Sequence, residues 1–233
     1  MCHFHIESGK LKEVSYMRDV YDFAKFFIKS GADSMPNTYD GNMKLQKMLV
    51  LSDMVHLAQC RQPLFGDDIL AFENGLVVEK VRLRYRNDYS SFKADSEKFN
   101  PDFSEEEYET LNAVIGVYGH LTARELSDLN HNFHSWRYAY QNGTVENGYH
   151  DKKKSVVDFR AFPEDIEAVA RAVKAYKETQ KNAPRYEVVN GVTFYYDDMV
   201  MTDEVISELE RFSQVCEDDA YSICIDDGRL VIF

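Results

Sequence analysis

Long hydrophobic runs are missing from this sequence of 233 residues. A membrane-spanning helix needs about 18 or more largely apolar residues in a row, and no stretch approaches that length. The N-terminal residues also lack the basic segment followed by an apolar segment that marks a secretory signal. The sequence therefore predicts a cytoplasmic protein without a membrane partner.

Closely spaced cysteines are missing as well. The four cysteines, Cys2, Cys60, Cys216 and Cys224, lie far apart, and no CxxC motif occurs. A small secreted fold held by disulfides carries more cysteines at shorter spacing. Reduced thiols in an intracellular protein are the expectation.

Motifs that carry common catalytic chemistry are also absent. The sequence has no GxSxG, HExxH, GxGxxG or P-loop motif, and its 11 glycines are scattered along the chain. Neither an activated nucleophile nor a phosphate-binding loop is therefore indicated. We predict that the protein is not an enzyme and that it needs no cofactor.

Positive charge is in short supply. Lys and Arg number 27 against 40 Asp and Glu, which gives a formal net charge of -13. Such a balance opposes binding to the phosphate backbone, so we expect no direct nucleic-acid partner. Residues 185–233 are the most acidic part, with 3 basic and 12 acidic side chains and a net charge of 3 − 12 = -9.

The patterns that are present predict mostly helices in the first three quarters of the chain. Apolar spacing predicts one helix over 15–29 and a second, capped by Asp40 or Asn42, with a wide apolar face. A short apolar run at 69–72 and a turn at Asn74 and Gly75 follow. The residues after that turn favour a helix through Val77, Val78, Val81 and Tyr85, with a strand as the alternative.

Capping patterns locate the later helices. Ser104 with Glu107 and Thr122 with Glu125 each form a capping box, and Pro163 suits the first position of another helix. Beyond a boundary near 183–185, hairpins at 190–191 and 227–228 flank a helix capped by Thr202. The predicted fold class is α+β, with a mainly helical domain over 1–184 and a small acidic hairpin-helix-hairpin module over 185–233.

Three histidines leave a metal site open as an alternative. His131 and His134 lie three residues apart, so a helix would present both imidazoles on one side, with His120 nearby. Hydrogen-bonded structural or surface histidines are the other interpretation, and no second ligand cluster supports a metal. We expect no bound metal, and a metal-dependent enzyme that uses these three histidines remains an alternative function.

Two blocks of the sequence carry a family resemblance. Residues 43–81 read MKLQKMLVLSDMVHLAQCRQPLFGDDILAFENGLVVEKV, and residues 121–136 read LTARELSDLNHNFHSW. They resemble the Panacea domain of SocA-like antitoxins, whose members show LQKLLYYAQGWHLA, a turn like GKPLF, a stretch that ends in HGPV, and later a short helix with a histidine and then a tryptophan. The matching residues are Lys44, Leu45, Gln46, Lys47, Leu49, His56, Leu57, Ala58, Pro63, Leu64, Phe65, Phe72, Gly75, Val77, Leu121, Leu126, Leu129, His131 and Trp136.

The resemblance extends over about 15–180 and has two departures. Asn74, Gly75 and Leu76 stand where the family has His-Gly-Pro, and Val50 and Leu51 replace its tyrosine pair. The acidic module is not part of the family pattern. We expect Trp136 and His131 to be mainly architectural, with Trp136 covering the core beside the helix of Leu126 and Leu129.

The resemblance implies an antitoxin of a prokaryotic or phage toxin-antitoxin system. Such a protein binds a co-encoded toxin in a fixed ratio, and some relatives hand the toxin to an ATP-dependent protease. A phage-associated interaction protein without a toxin is a further alternative. In the acidic module, Asp197, Asp198, Asp218 and Asp219 are the candidate contacts to a basic partner surface.

Overall fold

The chain forms two compact units, Met1–Lys177 and Glu178–Phe233. The computed structural model describes residues 5–7, 10–12, 17–145, 149–181, 185–197, 199–226 and 228–233. The boundary predicted between residues 184 and 185 falls slightly later than this division and stays a prediction. None of the helices in the described ranges has the length and apolar character that crossing a membrane requires.

The first unit is mainly helical, as predicted. Its strands form two antiparallel hairpins, β1 (His5–Glu7) with β2 (Lys10–Lys12) and β3 (Ile69–Phe72) with β4 (Gly75–Val78). The helices are α1 (Val20–Lys29), α2 (Tyr39–Cys60), α3 (Glu79–Asn87), α4 (Tyr89–Lys98), α5 (Glu105–Tyr118), α6 (Ala123–His131), α7 (His134–Gly143) and α8 (Pro163–Lys181), the last of which contains the boundary between the units.

Helix α2 is the centre of this unit. Its residues 44–55 are all buried, because α1, α5, α6 and β4 pack around it. The sequence predicted a wide apolar face, but the burial extends round the helix and includes Lys44, Gln46 and Lys47. Burying such side chains is costly unless each polar group finds a partner, so the surroundings of α2 must supply hydrogen bonds.

Several local predictions are confirmed. Both capping boxes form, since Ser104 with Glu107 and Thr122 with Glu125 make the two reciprocal hydrogen bonds. Pro163 is the first residue of α8. These features depend on side chains three residues apart, so a sequence displays them directly.

Other local predictions are wrong at their boundaries. Helix α1 starts at Val20, because Asp19 caps it through the N–H of Tyr21. Thr38 rather than Asp40 or Asn42 caps α2, with its hydroxyl accepting from the N–H of Gly41 at 3.0 Å. After Gly75 the chain continues as β4 and turns helical only at Glu79. Helix α4 was not predicted.

The second unit contains the two predicted hairpins and the helix between them. Strands β5 (Arg185–Val189) and β6 (Val192–Tyr196) precede α9 (Asp203–Phe212), and β7 (Ala220–Asp226) and β8 (Arg229–Ile232) follow it. The sequence did not reveal that β6 and β7 pair in parallel, which joins both hairpins into one sheet of order β5-β6-β7-β8. This sheet and α9 enclose their own apolar cluster around Phe194, Leu209 and Ile223.

Gly41 provides the sharpest steric test of this fold. A Cβ at Gly41 would lie 2.1 Å from the carbonyl oxygen of Met35 and 2.6 Å from the hydroxyl of Tyr85. Gly→Ala within a helix normally stabilises by about 1 kcal/mol. We expect Gly41→Ala to destabilise by about 1 to 3 kcal/mol instead, because a backbone carbonyl must move.

The measurement is the free energy of unfolding by chemical denaturation. Gly116→Ala in α5 is the comparison, since the three atoms nearest to its added methyl belong to the far end of the Tyr176 ring rather than to backbone. We expect the smaller loss there. A Gly41→Ala protein at least as stable as the wild type would contradict the close packing of 35–38 on α2.

Candidate functional site

The β3–β4 hairpin is a two-stranded sheet enclosed by helices, so both of its edges need hydrogen-bond partners. On the β3 edge, the N–H of Ala71 donates to the carbonyl of Ser155 at 2.9 Å. The N–H of Val157 donates to the carbonyl of Ile69 at 2.9 Å. His150 Nε2 lies 2.8 Å from the carbonyl oxygen of Ala71. The segment before α8 therefore closes this edge.

The β4 edge is closed by side chains instead of a strand. Gln46 of α2 accepts from the N–H of Val78 at 2.9 Å, and Lys47 Nζ donates to the carbonyl of Leu76 at 3.0 Å. Asn130 of α6 accepts from the N–H of Leu76 at 3.3 Å. Gln46 and Lys47, two adjacent residues of the family motif, thus make the hydrogen bonds that a neighbouring strand would otherwise make with β4.

The tip of the hairpin is held in the same way. Trp136 Nε1 donates to the carbonyl of Phe72 at 2.8 Å, and His131 Nε2 lies 2.9 Å from the carbonyl oxygen of Glu73. Ser127 donates to the carbonyl of Asn74 at 3.0 Å. Since each acceptor is a carbonyl, the His131 nitrogen carries the proton. Side chains of the second family block therefore bind the carbonyls at the hairpin turn, whereas side chains of the first block bind the backbone of β4.

Gly75 allows the close approach of Lys47. Its φ of 94° lies in the region that favours glycine, and a Cβ there would stand 2.7 Å from Lys47 Nζ. The sequence predicted the turn at Asn74 and Gly75, but it lies at Glu73 and Asn74, with Gly75 already in β4. Glycine at position 75 therefore meets two requirements, the positive φ after the turn and the close approach of the Lys47 amine.

Lys47 is a buried amine without an acidic neighbour among the described residues. The side chain is 0% exposed, and burial alone lowers the pKa of Lys47 to about 7. Lys44 differs, because Nζ donates to Ser34 Oγ at 2.6 Å and to the carbonyl of Gly119 at 2.7 Å. Burial also lowers the pKa of Lys44, and the nearby carboxylate of Asp33 opposes that shift.

The remaining residues of the first motif lie in or beside the core. Leu45 is fully buried, and the ring of Phe65 packs at 6.2 Å from that of Phe23. His56 Nδ1 lies 3.1 Å from Thr110 Oγ1. Pro63 begins the turn that Asp53 holds by accepting from the N–H of Leu64 at 2.7 Å.

Burial governs the ionisation of Asp53. It raises the pKa of Asp53 to about 6, although hydrogen bonds from the N–H groups of Leu64 and Phe65 oppose that rise. The buried carboxyl group of Asp53, which is not one of the matching family residues, therefore fixes the Pro-Leu-Phe turn of the motif.

A cleft of about 770 Å³ opens beside the hairpin. The start of α2, the hairpin tip, α3, α7 and the segment around His150 form its walls. Its lining includes Val77 and Phe72 of the hairpin, both predicted as motif residues. The other lining residues are Asn37, Thr38, Tyr39, Asn42, Met43, Gln46, Lys47, Glu73, Asn74, Arg82, Tyr85, Arg86, Tyr140, His150 and Lys152.

A continuous series of aromatic contacts leads from the second motif to this cleft. Trp136 lies between His131, at a ring distance of 4.2 Å, and Tyr140, at 5.2 Å. Tyr140 stacks on His150 at 5.2 Å, and His150 meets the ring of Phe72 edge-on at 5.8 Å. Trp136 therefore contacts the cleft wall through Tyr140 while it packs against the core.

The three candidate metal ligands do not converge. Within the described ranges, the side chains close enough to share a metal ion are His134, Glu164 and Asp165, and neither His120 nor His131 joins them. Both oxygens of Asp165 already accept backbone N–H groups, from His134 at 3.0 Å and from Ser135 at 2.8 Å. Asp165 thus caps α7, which explains this cluster as a helix cap.

The predicted acidic contacts are spread over the second unit. Asp218 and Asp219 precede β7, whereas Asp197 follows β6, which runs parallel to β7. The exposed carboxylates therefore lie at opposite ends of the parallel pair. Asp197 also lines a second cleft of about 480 Å³ with Tyr195 and Phe233. Asp198 lies outside the described residues.

The span that contains the hairpin and its supports from α2, α6 and α7 matches a known family. Residues 45–137 match the Panacea domain of SocA-like antitoxins. The resemblance predicted from the two motif blocks is confirmed, over a shorter span than the predicted 15–180. No curated protein and no solved structure matches the chain. We call residues 45–137 the Panacea region, and the match supports an antitoxin-like role for it.

Sequence reasoning found four of the seven side chains that bond the hairpin backbone in the described part of the chain and missed the other three. Gln46, Lys47, His131 and Trp136 belong to the Panacea motifs. Ser127, Asn130 and His150 also bond the hairpin backbone but carried no signal, because their partners are backbone groups far away in the sequence. Arg82 and Arg86 of the cleft lie outside both motifs and were also missed.

The buried amine of Lys47 predicts a pH-dependent stability. Below pH 7 the amine is protonated in both states, and the cost of burying its charge is fully present. Between pH 7 and 10.5 the folded protein holds the neutral amine while the unfolded chain still binds the proton, so the free energy of unfolding rises with pH. We expect Lys47→Met to lose this rise.

The variant also leaves the carbonyl of Leu76 without its donor, which costs about 1 to 3 kcal/mol. Because only the wild type gains stability as the pH rises, the destabilisation caused by Lys47→Met should be larger at pH 9 than at pH 6. The free energy of unfolding by urea measures it. Lys93→Met, at an exposed lysine of α4, is the charge-matched control. Parallel stability curves for wild type and Lys47→Met would show that Lys47 is not the titrating group.

Proposed function

We propose that this protein is an antitoxin that neutralises a co-encoded protein toxin by direct, stoichiometric binding. The match of the Panacea region to SocA-like antitoxins is the observation that carries the proposal. The proposal accounts for motif residues whose hydrogen bonds shape a hairpin and a cleft wall rather than a catalytic centre. It also agrees with the lack of known catalytic motifs in the sequence.

The side chains beside the hairpin suit protein recognition. Tyrosine, methionine and arginine are enriched where proteins bind each other tightly. The cleft offers all three types in Tyr39, Met43 and Arg86. Tyr39 and Arg86 are exposed at its rim, where a partner protein could reach them.

Two mechanisms are compatible with direct binding. The antitoxin could cover the active surface of the toxin, or it could act as an adaptor that delivers the toxin to an ATP-dependent protease. Both require a complex, so they differ only in whether the toxin survives.

The acidic second unit is proposed to assist this binding. With a net charge of -9 over residues 185–233, it would attract a basic toxin surface and speed the encounter. Asp197, Asp198, Asp218 and Asp219 are the proposed contacts. Since the described members lie at two ends of the sheet, each end is expected to act separately.

Co-expression is the decisive test of the proposed function. The small protein encoded beside this one, expressed alone, should arrest growth. Co-expression with the wild-type chain should restore growth, and the two proteins should co-purify in a fixed ratio. The experiment is repeated in a strain without the relevant protease, where rescue persists under covering and disappears under delivery.

Rescue without any complex, even after chemical cross-linking, would contradict direct binding. A complex that forms without any effect on growth would point to an interaction protein of another kind. Elemental analysis of the purified protein should show less than stoichiometric zinc, iron or manganese, and a chelator should leave its melting temperature unchanged, since the proposed mechanism needs no metal.

Charge reversal tests the acidic unit. We expect Asp197→Lys and the pair Asp218→Lys with Asp219→Lys each to slow association with the toxin several-fold at low salt, because exposed rim charges act chiefly on the on-rate. The quadruple variant that adds Asp198→Lys should be slower still. The difference from wild type should shrink at high salt, as screening removes it.

Association rates are measured by surface plasmon resonance, with circular dichroism as the check on folding. Asp128→Lys, an exposed position of α6, is the control for a single charge reversal. If the folded quadruple variant associates at the wild-type rate at low salt, the acidic unit has no part in recognition.

A further inference from the structure

The cleft beside the hairpin is cationic in a strongly acidic protein. Besides the fully buried amine of Lys47, its lining contains three basic side chains, Arg82, Arg86 and Lys152, and one acidic side chain, Glu73. The whole chain has the opposite balance, with 27 basic and 40 acidic residues. This local excess of positive charge therefore favours the binding of an anionic group in the cleft.

The basic side chains of the cleft differ in whether a carboxylate of this protein already neutralises their charge. Arg82 and Lys152 both bind the carboxylate of Glu79, at 2.7 Å and 2.6 Å. Arg86, one turn further along α3, has no hydrogen bond or ion pair with any residue in the described ranges. A net positive charge thus remains available, and Arg86 is its most accessible carrier.

The rim also offers apolar surface without a partner. Tyr39 is 67% exposed as a residue, and its hydroxyl accepts from Asn74 Nδ2 at 2.8 Å. Met35, just before the cleft residues 37–39, is 53% exposed. An occupant with both carboxylates and an apolar side chain would therefore match the rim better than an anion alone.

The shape of the cleft limits what can enter. A volume of about 770 Å³ holds a few side chains, within the usual range of ligand-sized clefts. The flat face of a folded domain could contact only the rim. The occupant must be narrow, as a loop or a chain terminus is.

We infer that this cleft takes an acidic, partly apolar segment of the partner protein, with Arg86 pairing to a carboxylate and Tyr39 packing on the apolar side chain. The inference rests on the proposed function and names the surface that performs it. Recognition would then use two opposite charges, a cationic cleft in the first unit and an acidic second unit.

The first experiment measures toxin affinity by isothermal titration calorimetry. Arg86→Glu and Tyr39→Ala should each raise the dissociation constant at least tenfold, because charged and aromatic groups at a desolvated contact dominate binding. Arg124→Glu and Tyr138→Ala are the matched controls. Both control residues are exposed in the first unit and absent from the cleft lining, and they should bind like wild type.

The second experiment does not depend on the toxin. A short peptide of alternating glutamate and phenylalanine is titrated against the wild-type protein, and the emission of Trp136, the one tryptophan in the chain, is recorded. Because Trp136 stacks on Tyr140 of the cleft wall, occupancy should alter its emission. A lysine-phenylalanine peptide should have no effect, and Arg86→Glu should abolish the response to the acidic peptide.

The outcomes separate the two proposals. If the wild type binds no toxin but responds to the acidic peptide through Arg86, the proposed function fails and the chemistry of the cleft stands. If the toxin binds and both cleft variants keep affinity within twofold of wild type, the inference is overturned alone. Displacement of the peptide by a nucleotide such as AMP would also overturn it, in favour of a small-molecule site.

Discussion

The first unit depends on satisfying the backbone of one short hairpin. Strands of four residues cannot stabilise themselves, and β3 and β4 form a two-stranded sheet that gains a short bridge to the segment around Val156 on the β3 edge. Side chains from α2, α6 and α7 supply the donors and acceptors that neighbouring strands would otherwise provide. Each unpaired buried backbone group would cost about 1 to 3 kcal/mol, so the hairpin and its three supporting helices are stable only together.

This constraint explains why the Panacea motifs contain the residues they do. Gln46 and Lys47 follow each other on α2, yet both reach backbone groups of β4 because that helix is buried on all sides. Lys47 needs Gly75 opposite, since any Cβ there would collide with its amine. The departure at Asn74 leaves this arrangement intact, because Asn74 contributes its carbonyl to Ser127 and its side chain points to Tyr39.

The sequence allowed prediction of what is local and of what a family pattern preserves. Capping boxes, the hairpin at 190–191 and the two Panacea blocks were recognisable because their residues lie a few positions apart. The parallel pairing of β6 with β7, the role of Asp53 and the cleft were not, because each joins residues distant in the chain. The helix favoured through Val77 and Val78 was wrong at its start, because these β-branched residues end β4 and the helix begins only at Glu79.

The dependence of the cleft on the hairpin also decides which residues can report on function. Replacing Gln46, Lys47 or Trp136 removes a backbone partner, so a loss of binding in such variants would follow from a displaced cleft wall. Arg86 and Tyr39 lie at the rim, and their side chains support no hairpin backbone group in the described ranges. The motif residues therefore build the wall of the cleft, whereas the two rim residues can be replaced without removing a partner of the hairpin backbone in the described ranges.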